Sequence, residues 1–578
     1  MITSVYSRVC RTQTPQIIER TSSGGFQSAD GTFYVSKPYR SKSTKKLRAT
    51  ITFTPRESHF DTSNASSGTN EFRGFFTLFW ISIFLFMTRT YIEGIEANGV
   101  PLNLQFAALF FRHALPLALS DLLLVLSTGV CVPFAKLLAK GHIKYHWTGV
   151  IIQHAWQTAV LAITVKWTFD RQWPWVQSGF LTLHCLVMIM KMHSYVYVNG
   201  YLQWVDHEAK KALEILRKET ERVGGYESAV AIAKIYRKEA DGASTRSDSG
   251  SSTPEAPDVP NGGKPYLEVE VSAAAVLRQR LAVAAAAASS RNETTVTDPV
   301  TEFTEEPGPH PLIDHPDEKI AELAKEFSEL DSELVSTGPQ KVRWPNNIGW
   351  GNFADYQLIP TLVYDLEYPR TERIRPLYVF EKTVATFGTF TLLYSVTEVF
   401  ILPKIHQASF FRAMLDLALP FMVAYLLLFY IIFECICNGF AELSRFADRQ
   451  FYEDWTGDPD LSRWNSTSWD EFSRKWNKPV HQFLLRHVYT STMRSYKLSK
   501  TSAMLITFLL SAAIHELVMV VVTQKIRMYL FMAQLIQIPL IAIGRTPEIR
   551  RNKILGNVFF WVSLFSGFPL LCVLYVVH

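Results

Sequence analysis

The chain is short of charge and of cysteine. Asp, Glu, Lys and Arg make up only 19% of its 578 residues, against about a quarter in soluble domains. A net charge of +5 is too slight for the concentrated basic surface that makes nucleic acid a favoured partner. Six cysteines, several of them inside apolar runs, such as Cys131, Cys185, Cys435 and Cys572, read as buried thiols and not as a secreted disulfide framework. Cys435 and Cys437 sit two apart, which is not the CxxC redox spacing. There is no GxSxG elbow, no GxGxxG loop and no GxxxxGK loop, so hydrolase-fold, dinucleotide and phosphate-loop chemistries lose ground. The polar, Ser/Thr-rich residues 1–70 hold no apolar h-region, so no cleavable signal peptide is expected.

What the chain has is apolar length. The hydrophobic share is 48% and the aromatic share 13%, suited to lipid-facing surfaces, interfacial belts and a greasy cavity. Apolar runs fall at 74–92, 115–134, 150–169, 176–195, 378–402, 414–440, 501–523, 529–543 and 555–577. About 20 such residues cross the hydrocarbon core of a bilayer as a helix, where every backbone amide needs an internal partner. The expected fold is therefore an all-α polytopic membrane protein with about nine transmembrane helices. It divides into a disordered basic cytosolic N-terminal region at 1–70, a first transmembrane group at 71–203, a cytosolic charged and low-complexity insertion at 204–350, and a second transmembrane group at 351–578. Ten Lys/Arg against four Asp/Glu in residues 1–70 place that end in the cytosol.

Ionisable residues inside apolar segments need a reason. His515 and Glu516 interrupt SAAIHELVMVVV, and a histidine accepts a proton near neutral pH, which makes His515 a candidate general base. The bland reading is a core histidine bonded to a neighbouring helix. A zinc-protease HExxH is excluded because Met519 stands at the second histidine position, and no metal is expected. Glu516, about 100° round the helix, is expected to answer a different helix. In EFSRKWNKPVHQFLLRHVY, Pro479 opens a helix with His481 on its apolar face and Asn477 just before it. That stretch is either an amphipathic surface helix or a cavity wall. Glu381, Glu398, Asp416 and Glu434 are read as packing groups, and Lys191 and His193 lie in or near the fourth span.

The motifs FADRQFYEDW, RKWNKPVHQFLLRHVY and SAAIHE, with HFDTSNASSGTNEFRGFFTLFW, KMHSYVYVNGYL and YDLEYPRTERIRPLYVFEK, resemble the sterol O-acyltransferases of the membrane-bound O-acyltransferase family. The resemblance implies a helical bundle enclosing a reaction chamber in the endoplasmic reticulum membrane, as a homodimer or homotetramer. It implies transfer of a long fatty acyl group from acyl-CoA, a co-substrate and not a tightly bound cofactor, to the 3β-hydroxyl of a sterol. His515 matches the family's active histidine, Asn477 its asparagine and His481 its further histidine. The family's FYxDWWN, associated with acyl-CoA, is split here by an eight-residue insertion. Phe451, Tyr452, Asp454 and Trp455 match its first part, and Trp464 and Asn465 complete it. Arg474 and Lys475, with Lys478 and Arg486, are expected at a cytosolic mouth facing the coenzyme A phosphates, a solvated charge run being the bland alternative. The rival activity is diacylglycerol O-acyltransfer, and the non-enzymatic rival is a transporter or scaffold.

Overall fold

The computed structural model describes residues 19–20, 26–28, 31–33, 51, 53–58, 61, 73–102, 107–246, 310–405, 409–452 and 468–577. Among the described residues, eight helical segments are long and apolar enough to cross a membrane: α1 (Thr77–Asn98), α2 (Ala114–Ala139), α3 (Tyr145–Asp170), α4 (Trp175–Val223), α8 (Pro376–Lys404), α9 (Phe410–Leu443), α12 (Lys500–Thr523) and α14 (Ile554–Tyr575). Between them lie α5 (Tyr226–Arg246), α6 (Glu318–Glu333), α7 (Trp350–Leu358), α10 (Trp469–Lys475), α11 (478–496) and α13 (Tyr529–Gly544). The ninth expected span, α13, has 16 residues, about 24 Å of helix, short of a full crossing. Three strands of two or three residues at Glu19–Arg20, Phe26–Ser28 and Gly31–Phe33 pair antiparallel ahead of the helical body.

Leu78, Phe84, Leu123, Leu126, Ile163, Phe387, Leu415 and Leu419 are all exposed on these helices, as a surface meeting lipid and not water requires. The fourth span and the charged pattern after it form one helix, Trp175–Thr220, about 69 Å long and so more than twice the hydrocarbon thickness. Its far end, with α5 and α6, buries Leu216, Ala229, Ala233, Ile320 and Ala324 in a cluster of its own. Within the membrane body α4 packs on α2, α3 and α12, while α9 packs on α8 and α14. The main core joins α2 and α4 to Phe353–Tyr368 and to Phe446, Phe451 and Tyr452. The five described cysteines are free thiols, and no group of three or more His, Cys, Asp or Glu is placed to hold a metal among the described residues.

Close approach of α3 to α4 depends on Gly200. A Cβ there would lie 2.2 Å from the Tyr145 ring, whose hydroxyl donates to Gln153 Oε1 at 2.8 Å. Gly200→Ala is expected to cost about 1–3 kcal/mol through overpacking. An unchanged thermal midpoint in detergent would contradict that expectation.

Candidate functional site

The helix α12 carries two adjacent polar residues that serve different partners. His515 is exposed, and its Nδ1 bonds the Ser511 carbonyl at 2.7 Å. A carbonyl only accepts, so Nδ1 carries the hydrogen and Nε2 keeps its lone pair. Two turns along the same stripe, Val522 Cγ2 stands 3.2 Å from the position of a Cβ on Gly179 of α4, so the His515 face of α12 turns toward α4. Glu516, buried, points elsewhere. Its Oε1 accepts from the Met528 amide at 2.7 Å, and its Oε2 from the Phe531 amide at 3.0 Å and the Tyr575 hydroxyl at 2.7 Å. A carboxylate across the start of α13 satisfies orphan amides and the positive end of the helix dipole. The adjacent-residue argument therefore holds: Glu516 ties α12 to α13 and α14.

Asn477 is the N-cap of α11. Its Oδ1 accepts from the Val480 amide at 3.2 Å, Pro479 follows in the first turn, and the half-buried side chain keeps its Nδ2 hydrogens for another acceptor. His481 is half-buried one turn on, and its amide bonds the Asn477 carbonyl at 2.9 Å. The later part of α11, Leu484–Tyr489, is π-helical and packs against α12. Asn477 and His515 are thus carried on neighbouring elements without bonding to one another.

Phe451 and Tyr452 are buried, the Tyr452 ring lying 5.0 Å from that of Phe429. The Phe451 carbonyl accepts from the Lys478 amide at 3.0 Å, which joins two of the sequence motifs directly. Asp454, Trp455, Trp464 and Asn465, with the insertion between them, lie outside the described residues. Arg474 and Lys475 pair one turn back with Asp470 at 3.1 Å and Glu471 at 2.8 Å; the first pair is exposed and weak enough to yield to a polyanion, whereas the second is half-buried. The expectation of a cytosolic mouth is corrected for two neighbours. Lys478 and Arg486 are buried, and Arg486 donates to the Tyr364 carbonyl at 3.3 Å, since α11 turns that side of its charged pattern into the protein.

Several structural partners were not separable from the motif text. Lys191 donates to the carbonyls of Tyr356, Gln357 and Ile359 at 2.9, 3.0 and 2.7 Å, closing the C-terminal end of α7 with a cation. Ser194 accepts from the Tyr364 amide at 2.7 Å and bonds His487 Nε2 at 2.8 Å. The Tyr364 hydroxyl donates to Asn352 at 2.7 Å and accepts from Asn347 at 2.9 Å. Burial pushes the Tyr364 and Tyr368 phenols well above their ordinary range, so both act as neutral hydrogen-bonding groups. The sequence signal of Lys191, Ser194, Tyr364 and Tyr368 is that they stand in KMHSYVYVNGYL and YDLEYPRTERIRPLYVFEK, which does not say which residue bonds which. Glu434, read as a packing group, is that: Lys382 and Ser58 donate to it at 2.8 and 2.6 Å.

The same chain has clear relatives. Residues 331–577 match the model of MBOAT, the membrane-bound O-acyltransferase family. A protein named probable sterol O-acyltransferase 1 from Schizosaccharomyces pombe is 32% identical over 538 residues, 91% of this chain and 86% of that one. A sterol O-acyltransferase 2 from Candida albicans is 31% identical over 88% of this chain and 75% of its own length. A diacylglycerol O-acyltransferase 1 from Dictyostelium discoideum is 35% identical, over only 40% of this chain and 37% of its own. With its helical membrane body, its motifs in order and similarity along nearly its whole length, this multi-pass membrane protein is an acyltransferase belonging to the membrane-bound O-acyltransferase family.

Proposed function

We propose that the chain transfers a long-chain fatty acyl group from coenzyme A to the 3β-hydroxyl of a sterol. The observation that carries this reading is coverage. Similarity to the S. pombe and C. albicans sterol O-acyltransferases runs through both membrane groups, whereas that to the diacylglycerol enzyme covers less than half of either chain. The first relatives' printed activity thus fits nearly the whole length of the chain.

In the reaction the sterol oxygen attacks the thioester carbonyl carbon while His515 Nε2 takes the hydroxyl proton. The C–S bond breaks, and the proton passes to the departing thiolate, giving steryl ester and coenzyme A. The Nδ1 bond to the Ser511 carbonyl supports this role, because it leaves Nε2 as the basic atom and stabilises the imidazolium that forms. Asn477 Nδ2 supplies a donor for the oxyanion, with its Oδ1 fixed by the α11 cap. His481, one turn on, lines the same chamber. Phe451, Tyr452, Asp454, Trp455, Trp464 and Asn465 border the acyl-CoA path, and Arg474 and Lys475 meet its phosphates. Each tail methylene moved from water into an apolar tunnel contributes about 0.8 kcal/mol. The setting we propose is the endoplasmic reticulum membrane, with the N-terminus cytosolic and the protein a homodimer or homotetramer.

The test is a mixed-acceptor assay. Purified protein with labelled oleoyl-CoA is offered ergosterol, cholesterol and diacylglycerol together. Steryl ester as the main product is expected; triacylglycerol as the main product would move the chain to the rival activity, and no coenzyme A release with any acceptor would leave a transporter or scaffold.

A further inference from the structure

Ahead of α1, the segment of Ile51, Phe53–Ser58 and Asp61 lies within the region expected to be disordered, yet it packs across the second half of the chain. Arg56 forks onto Asp448, Nε to Oδ1 at 3.0 Å and Nη2 to Oδ2 at 2.7 Å. The backbone joins as well: the Arg56 amide bonds the Ala447 carbonyl and the Arg449 amide bonds the Arg56 carbonyl, both at 2.9 Å. On its other edge the same 445–449 stretch is bonded by Thr371 N to Arg445 O at 2.8 Å and by Ala447 N to Pro369 O at 3.0 Å. Further contacts fix the ends of the segment. Ile51 is buried with Leu362, Val363 and Phe483 of α11, and the Phe53 ring meets Tyr368 and Phe446 at 5.3 and 5.9 Å. Ser58 donates to the buried Glu434 at 2.6 Å, and Asp61 accepts from Arg375 at 2.9 Å.

These contacts converge on one place. The strap holds 447–449 through Arg56, the Phe451 carbonyl beyond that stretch holds the Lys478 amide at 3.0 Å, and Lys478 follows Asn477 directly. The other end of the strap presses Ile51 on Phe483, in the second turn of the helix that Asn477 caps. We infer that Ile51, Phe53–Ser58 and Asp61 form a positioning strap for Asn477, acting through the Arg56–Asp448 fork and the 446–451 loop. The inference rests on the role proposed above for Asn477. A bidentate guanidinium–carboxylate pair fixes angle as well as distance, and Asp448 is 4% exposed, so the loop has little freedom once the fork is made. Losing the fork loosens the 446–451 loop and with it the register of α11.

The experiment is a double-mutant cycle with Arg56→Ala, Asn477→Ala and the double variant, following steady-state turnover of oleoyl-CoA and sterol. Arg56→Ala is expected to lower kcat about tenfold at near-parental KM for the sterol, with any rise in KM confined to oleoyl-CoA because Phe451 ends the same loop. In the Asn477→Ala background the same change is expected to have little further effect, because the residue being positioned is gone. Arg56→Lys, which keeps a positive charge facing Asp448 but not the two-pronged geometry, is expected to recover only part of the lost kcat. If Arg56→Ala does not yield folded protein in detergent, Arg56→Gln runs the same cycle. Additive losses, or a rise in KM without a fall in kcat, would overturn the strap's role. If Asn477→Ala itself leaves turnover intact, both the role of Asn477 and the strap inference fall; if Asn477→Ala is slow while Arg56→Ala is parental, the strap inference falls alone.

Discussion

His515→Ala is expected to lower acyl transfer by about 10²–10⁴-fold, the range supplied by a positioned general base, while the protein remains folded and membrane-inserted. The structure separates the two outcomes. His515 is exposed, and among the described residues its bonds are to Ser511 one turn back on its own helix, so truncation there leaves no buried donor or acceptor orphaned. Alanine is also the better helix former. The measurement is single-turnover ester formation with the thermal midpoint recorded on the same preparation. Near-parental turnover would remove His515 from the reaction, whereas a collapse of the midpoint would return it to the role of a core histidine.

Glu516→Ala, one residue away, is expected to do the reverse: lose stability first, and activity only as a consequence. The carboxylate serves two amides and a phenol at once. One of those amides belongs to Met528, held at φ +61° in the left-handed region that a non-glycine residue seldom occupies. Without Glu516 the start of α13 and the Tyr575 hydroxyl are left with unmet donors. Arg527, which donates to the carbonyls of Leu574 and Tyr575 at 3.1 and 2.6 Å, loses the neighbour that closes the same corner. Three bonds to a buried charged group are lost, and a cost of at least about 3 kcal/mol is expected. Thermal unfolding in detergent reads it directly. A midpoint equal to the parent's, with turnover abolished, would instead put Glu516 in the reaction.

The contrast between these neighbours marks where sequence reading stops. Both stand in one apolar run, and the 100° step between successive helical residues already separates their faces. Which face meets α4 and which meets α13 is a matter of helix packing. Asn477 is a similar case. The text WNKP announces a helix start, and the structure shows the same side chain capping that start, its Oδ1 accepting from the Val480 amide. The cations of the motif divide likewise: Arg474 stays at the surface in a weak pair with Asp470, Lys475 is half-buried against Glu471, and Arg486 goes inside to the Tyr364 carbonyl. A charge pattern does not state which side of a helix is covered.

Sequence by itself determined that the chain is helical and lies in a membrane, because the length of an apolar run and the need to satisfy its amides are local properties. It also determined the family, through ordered motifs, and the candidate residues within them. Only the tertiary structure decided the partners: Arg56 with Asp448, 392 positions apart, Lys191 with the end of α7, Glu516 with the start of α13. A periodicity fixes which residues share a face of one helix, whereas a hydrogen bond between distant segments exists only after packing has brought their backbones together and removed the water that would otherwise bond each of them.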